Sequence, residues 1–498
     1  NLRPAIDPAA VGAIFNPKSV AVVGATDKFR KWGNMIFLNL VAGGFKGEIY
    51  PVNPTLETLA GRPAYKSVTD IPGPVDMAVV TVPASKVLDL IPEFKAKGVK
   101  GVVLITSGFA EAGPEGRELE RLLVEEAHKS GVLILGPNTM GITNPHINLF
   151  CIGTQVRPKP GSTAFVSQSG NMGVQLLSFA NRQGLGIRAF GGTGNEAMLT
   201  VEDALDAFGL DELTDAILLY IESVKNGRRF FESARRVSRQ KPVVVLRGGR
   251  TPAGSVAAAT HTGAMASNVR VFDAACRQAG IVLVEKPMDL LDLSTCFSSL
   301  PLPRGKRVAI MTIGGGWGVV TSDLCTEYGL ELPELPPDLV SRIDRVLPPF
   351  WSRCNPVDLV GQTDPGVPIA VMDELLAWDG CDALINLGVM GRKHLVRLLA
   401  ESSLAVDPRA DKSLLDSTMQ GLDKIEIEFT SHIVRLMEEH NKPIIGVGMA
   451  SDGKGKTIFK TKDGRYKGVF FQTPEQAVKS LSRMRRYREW LEREGVFT

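Results

Sequence analysis

Short apolar runs rich in β-branched residues recur along this chain, and nearly every one stops at a Gly, Pro, Ser or Asn. "SVAVV" stops at Gly24, "DMAVVTV" at Pro83, "KGVVLIT" at Ser107 and "VLIL" at Gly136. A continuous apolar run of this length suits a strand buried on both faces, and the residue that ends it lets the chain turn. Between the runs lie stretches with helical spacing, "NMIFLNLVAGG", "KVLDLIPEFKAKG" and "GRELERLLVEEAHKSG". With "GEIYPVNP" as a further strand, the alternation predicts a doubly wound parallel sheet that closes near Pro145.

The pattern restarts after the turn-rich "GTQVRPKPGS". Strand "TAFVS", loop "QSGNMG" and helix "VQLLSFANRQG" lead on to "DAILLYIES", "PVVVLRGG" and "IVLVE", with helical stretches between them. A Pro-rich basic linker, "LPLPRGKR", marks the next boundary. The third segment, "RVAIMTIGGGWGVVTSDLCTEYG", echoes the second: Gly170-x-x-Gly173-Val174 is matched by Gly315-x-x-Gly318-Val319, and a further glycine follows 11 residues later in both, at Gly184 and Gly329. Such an echo predicts duplicated flavodoxin-like units. The polar stretch 405–426 reads as an insertion or mobile loop, and a terminal helix starts at Pro474. The expected architecture is α/β: an N-terminal Rossmann-like domain over 1–145 and two flavodoxin-like domains over 146–300 and 301–498, all with parallel sheets.

Composition narrows the function. The 498 residues are 44% hydrophobic and 22% charged, ordinary for a globular protein of about three domains. Aromatics at 6% and a net charge of +3 with mixed signs speak against nucleic acid as a partner. The six cysteines are scattered without a C-x-x-C pair, which speaks against a zinc or disulfide framework and points to a reducing cytoplasm. The N-terminus lacks the charge-then-apolar pattern of a signal peptide. The longest uncharged stretch, Ser130–Val156, is broken by Pro and Asn, so no membrane span is expected.

Candidate chemistry collects at the strand ends. "SQSGNMG" and "IGGGWG" each follow a buried strand and open a helix, so the free N–H groups at Ser169–Gly170 and Gly315–Gly316 suit an anion; the same glycines also suit close strand–helix packing. Neither loop has the Gly-Lys-Ser/Thr ending of a Walker A motif. His261 stands among small residues in "AAATHTGAMA", which reads as an uncrowded loop. Glu222 ends the strand "LYIES", where it could accept a hydrogen bond from His261 and leave the other ring nitrogen nucleophilic, or simply cap a helix. In the first segment "VGATDKFRKWGN" lacks the G-x-G-x-x-G fingerprint of a nicotinamide dehydrogenase, while Lys28, Arg30 and Lys31 suit a phosphate-rich ligand such as CoA.

Taken in order, "SVAVVGAT…GN", "GGFKGEIYPVNP", "VVTVPA", "LGPNTMG", "VSQSGNMG", "GGTGNEA", "YIES", "THTGAMA…FDAACRQAGI", "NPVDLVG" and "TPEQAVKSLSRMRRYREWL" span nearly the whole chain. The chain resembles the alpha-type subunit of ADP-forming acyl-CoA (acetyl-CoA) synthetases, within the succinyl-CoA synthetase superfamily. The resemblance implies a CoA-binding domain followed by two ligase domains. It implies a phosphorylated His261 supported by Glu222, with phosphate at Ser169, Gly170, Gly315 and Gly316. CoA would lie across Gly24, Ala25, Thr26, Lys31, Asn53, Pro83, Thr106, Ser107, Gly108 and Asn138. It further implies reversible conversion of acyl-CoA, phosphate and ADP to acid, CoA and ATP. An ATP-grasp beta subunit would supply the Mg and ADP/ATP site in a hetero-oligomer such as α2β2. Two positions depart from the pattern: Thr55 stands where a basic residue is frequent, and Ser267 where Gly is commoner. A non-catalytic CoA-binding regulatory protein on the same fold is the alternative.

Overall fold

The computed structural model describes residues 6–262, 268–362, 364–391, 393–407, 409, 412–448, 456–462 and 464–497. The chain forms two compact units. The first runs to residue 294 apart from 182–184, and the second holds those three residues and everything from 295 on.

The first unit contains two sheets. Strands β1 (Ser19–Val23), β2 (Glu48–Val52), β3 (Met77–Val80), β4 (Gly101–Leu104) and β5 (Leu133–Leu135) pair in the order β2-β1-β3-β4-β5, all parallel. β1, β3 and β4 are buried along their whole length, as their unbroken apolar runs require. The second sheet holds β6 (Gly141–Asn144), β7 (Leu149–Ile152), β8 (Pro160–Ser167), β9 (Ile187–Gly192), β10 (Ala216–Ile221), β11 (Val243–Arg247) and β12 (Val282–Val284), in the order β12-β11-β10-β8-β9-β6-β7. Its parallel part, β8 to β12, has the same order as the first sheet. β6 and β7 form an antiparallel hairpin that joins at β9. Pairing thus carries 141–152 into the second sheet, across the sequence position near 145 where the first pattern ends.

The two sheets share one apolar core. Phe15, Ile142 and Phe208 all belong to it, and the rings of Phe15 and Phe208 lie 5.0 Å apart. Helix α1 (Trp32–Gly43) follows β1, α2 (Gly170–Gln183) follows β8, and α3 (Pro252–Thr262) follows β11. The last of these corrects the sequence reading. The run around His261 is helical through Thr262 instead of an open loop, in keeping with the helix preference of Ala257–Ala259. His261 stands in the final turn of α3. Its side chain, and residues 263–267 with Ser267, lie outside the described residues.

The second unit is built on β13 (Val308–Thr312), β14 (Val357–Asp358), β15 (Ala383–Leu387), β16 (Ile444–Val447), β17 (Ile458–Phe459) and β18 (Gly468–Phe471). They pair as β14-β13-β15-β16-β18-β17, parallel except for β17 at the edge. The parallel order thus occurs three times, each with its topological switch between the first and third strands, where open α/β sheets place ligands. α4 (Gly315–Glu327) follows β13 as α2 follows β8. A second correction concerns 405–426, which is mainly helical: α5 (Lys393–Val406) and α6 (Lys412–His440) cover most of it. Phe429, Ile433, Leu436 and Met437, at helical spacing, bury the C-terminal half of α6 in the core of this unit. The polar half then extends a helix already nucleated. α7 (Pro474–Arg493) starts at the expected proline.

Candidate active site

Parallel strands release their loops at one edge, and in the first unit those loops enclose a cavity of about 740 Å³. Pro83, Thr106, Ser107 and Asn138 line it from the first sheet, and Gln168, Ser169, Gly170 and Glu222 from the second. Residues chosen from sequence for two different ligands therefore face one space.

The second-sheet half is tightly specified. At the end of β8 the Ser167 hydroxyl donates to the Ser169 carbonyl at 2.6 Å, which turns the chain into α2. The free N–H groups of this 14-residue helix open at Gly170. A methyl group on Gly170 would sit 2.2 Å from Cγ of Met140, so the helix end and the first-sheet loop approach as closely as glycine allows. Gln168 holds the strand end beside it. Its Oε1 accepts from the Glu222 and Ser223 amides at 2.6 and 3.0 Å, and its Nε2 donates to the Ser223 carbonyl at 2.7 Å. Tyr220 donates its hydroxyl to Glu222 at 3.1 Å; burial first, and the Glu222 charge second, push that hydroxyl's pKa upward. Gly248, at the end of β11, lies under this carboxylate: a methyl there would come within 3.3 Å of Glu222 Cγ.

In the first-sheet half, Asn53 donates to the Ala25 carbonyl at 2.7 Å and Asn34 to that of Thr26 at 3.0 Å. Thr55, the departure from the family pattern, donates its backbone amide and hydroxyl to Asn53 Oδ1 at 2.9 and 2.8 Å. Gly24 adopts φ +92°, and a methyl on Gly33 would sit 2.0 Å from the Gly24 carbonyl oxygen. α1 begins at Trp32 without a side-chain cap, directly after the exposed Lys31. Thr106 donates to the Val82 carbonyl at 2.7 Å. Gly24, Ala25, Thr26, Lys31, Asn53 and Gly108 are not among the residues that line the cavity, although Trp32 is.

Several lining residues escaped the sequence reading: Glu111, Glu120, Asn195, Glu196 and Lys225. "GGTGNEA" drew attention as a motif, but nothing in it singled out Asn195 or Glu196. Glu196 is 2% exposed, and its carboxylate accepts from the Val201 amide at 3.0 Å. Burial, with the Glu202 charge in support, pushes its pKa up to about 7.

In the second unit the Gly315 turn repeats that of Gly170. Thr312 at the end of β13 donates to the Gly314 carbonyl at 2.8 Å, and α4 opens at the next residue. Asp358 reaches this turn: a methyl on Gly315 would lie 3.0 Å from Oδ2, while one on Gly316 would meet nothing within 4 Å. Among the described residues no group of three or more His, Cys, Asp or Glu could hold a metal ion, and no helix is long and apolar enough to cross a membrane.

The chain is 36% identical over 487 residues to the alpha subunit of ADP-forming acetate–CoA ligase I of Pyrococcus furiosus, covering 96% of this chain and 98% of that one. It belongs to the family of ADP-forming acetate–CoA ligase alpha subunits. A second member of the family, the alpha subunit of ligase II from the same organism, is 42% identical over 346 residues, 70% of this chain and 75% of its own. The fold agrees. A dinucleotide forming acetyl-coenzyme A synthetase 1 of Ca. Korarchaeum cryptofilum, solved in complex with phosphate and ADP, matches with TM-score 0.82 and 32% identity over 98% of this chain and 99% of that one. Residues 18–145 match the model of a CoA binding domain, 160–297 that of a succinyl-CoA ligase like flavodoxin domain, and 308–395 that of a ligase-CoA domain. In this family's terms, Gly24 to Asn138 fall in the first, Ser169, Gly170, Glu222 and His261 in the second, and Gly315 and Gly316 in the third.

Proposed function

We propose that this chain is the CoA-binding and phosphohistidine subunit of an ADP-forming acyl-CoA synthetase. One observation carries the reading: the residues assigned to CoA, Pro83, Thr106, Ser107 and Asn138, and those assigned to the phosphoryl group, Ser169, Gly170 and Glu222, line the same cavity. The CoA half fits a long phosphorylated thiol. It offers an uncapped helix end at Trp32, the exposed Lys28, Arg30 and Lys31 before it, and a glycine contact between Gly24 and Gly33 that leaves the backbone bare.

The reaction runs in three reversible steps. A phosphate oxygen attacks the thioester carbonyl carbon of acyl-CoA, the C–S bond breaks, and CoA leaves as the thiol with the proton given up by phosphate. A ring nitrogen of His261 then attacks the phosphorus of the acyl phosphate, and the free acid leaves as carboxylate. Finally a terminal oxygen of ADP takes the phosphoryl group and the N–P bond breaks, giving ATP. The α2 N-terminus supports the charge on the transferring phosphoryl oxygens. Glu222 accepts the other ring N–H of His261, fixing the tautomer and stabilising the cationic ring. Gly315 and Gly316 offer a second helix end of the same kind. Mg and the nucleotide belong to an ATP-grasp beta subunit, the relatives being alpha subunits by name, in an assembly such as α2β2 in the cytoplasm.

Incubation with acyl-CoA and radiolabelled phosphate tests this. The expected label on the protein is lost in acid, kept in base and absent from His261→Gln. Label that persists in His261→Gln overturns the histidine assignment. CoA binding without any label in the unaltered protein leaves a CoA-binding regulatory protein instead.

A further inference from the structure

We infer that Glu111, Asn195 and Lys225 form a positioning relay that couples the CoA side of the cavity to the phosphoryl side. The inference rests on the function proposed above and assigns residues that it does not use.

The relay begins in the loop after β4. Gly108 and Phe109 donate their amides to Oε1 of Glu111 at 2.6 and 3.3 Å, so the carboxylate gathers the end of the Thr106–Gly108 segment. Its other oxygen, Oε2, accepts from Nδ2 of Asn195 at 2.5 Å. The same nitrogen donates to Glu120 Oε2 at 2.9 Å, an oxygen that also accepts from the Ala110 amide at 3.3 Å. Carboxylates only accept, so the orientation of the Asn195 amide is fixed: both protons face the first sheet's loop. Its Oδ1 then accepts from Asn138 Nδ2 at 3.3 Å. On the opposite side Lys225 donates to the carbonyls of Asn195 and Glu196 at 2.7 and 2.8 Å. Lys225 follows Glu222 and Ser223, whose amides are held by Gln168 at the start of α2. Hydrogen bonds and a few residues of backbone therefore connect Gly108, at the CoA end, to Glu222 and Gly170, at the phosphoryl end.

Two features distinguish this arrangement from an ordinary surface tie. The Gly194–Glu196 turn contains one unfavourable backbone state, the non-glycine Glu196 at φ +56°, two residues after Gly194 at φ +57°, which glycine adopts freely. The backbone bonds Asn195 N to Pro137 O and Ala197 N to Gly136 O, both 3.0 Å, clamp it against the first sheet's last loop. Strain of this kind persists where surrounding structure fixes a residue for a purpose. Glu111 and Glu120 are two of four carboxylates that line a cavity read as binding polyanions, where unengaged negative charge would oppose the ligand. Bonding to Asn195 and to backbone N–H groups gives these charges a positioning task instead. Shifting the CoA loop moves Glu111, and through Asn195 and Lys225 it moves the segment that holds Glu222.

The test compares two routes to phosphoenzyme in the complete enzyme with its partner subunit: acyl-CoA plus phosphate, which uses the CoA side, and ATP without CoA, which does not. In Asn195→Ala the ratio of the first rate to the second is expected to fall at least about tenfold, and likewise in Glu111→Gln, which keeps an acceptor for the loop amides but faces Asn195 less well. The double variant should match the single ones, because one link is broken either way. Calorimetry shows whether each variant folds, and either one suffices if the other does not. An unchanged ratio, with both routes slowed equally or neither slowed, overturns the relay, and so do fully additive effects. If the unaltered enzyme forms no phosphoenzyme by either route, the functional reading itself fails.

Discussion

Glu196 shows how a single side chain can carry a pH dependence invisible in sequence. Its carboxyl has an ordinary value of 4.5 and is pushed up to about 7, first by burial and then by the Glu202 charge. A raised acid binds its proton more tightly in the folded state than in the unfolded one. Its contribution to stability is therefore complete below about pH 4.5 and is lost as pH rises through about 7. Glu196→Gln keeps the shape without the charge. Its melting temperature should match that of the unaltered protein near pH 5 and exceed it at pH 8, by an amount equivalent to on the order of 2 kcal/mol. A difference constant with pH would show that Glu196 does not titrate in this range. Glu222 was legible in sequence because it ends an apolar strand. Gln168 was not, because only the folded chain sets its side chain against the Glu222 and Ser223 amides.

At the scale of elements, α6 explains why the polar stretch 405–426 reads as a loop. Leu415, Met419 and Leu422 do recur at helical spacing, but the polar residues between them dominate the composition, and the buried turns that follow reinforce the helix. The two halves should therefore respond differently to truncation. Met437→Ala, fully buried, should cost about 2–5 kcal/mol, whereas Ile425→Ala, 38% exposed and in the N-terminal half, should stay within about 0.5 kcal/mol in urea unfolding. Equal losses would mean that the N-terminal half is packed as tightly as the C-terminal half. The Gly170 and Gly315 turns are the opposite case. Their matched sequences predict matched geometry, and both strands end in a hydroxyl that donates two residues onward, Ser167 to Ser169 and Thr312 to Gly314. Short-range hydrogen bonding decides such a turn, so sequence alone can report it.

For the whole molecule, the arrangement of cores sets the expected unfolding behaviour. The first and second sheets share a core through Phe15, Ile142 and Phe208, whereas the third sheet has its own around Leu384 and Met437. Calorimetry should resolve two transitions, with Phe208→Ala lowering only one and Met437→Ala only the other. A single transition lowered by both substitutions would contradict that division. The sequence by itself determined the strand–helix alternation, the family, the repeated glycine turns and the strand-end position of Glu222, because periodicity and local hydrogen bonding operate over a few residues. Only the tertiary structure decided that the hairpin Gly141–Ile152 pairs with the second sheet and that Asn195 meets Glu111 across 84 positions of chain. Those outcomes depend on which distant surfaces pack together, and no local pattern records that choice.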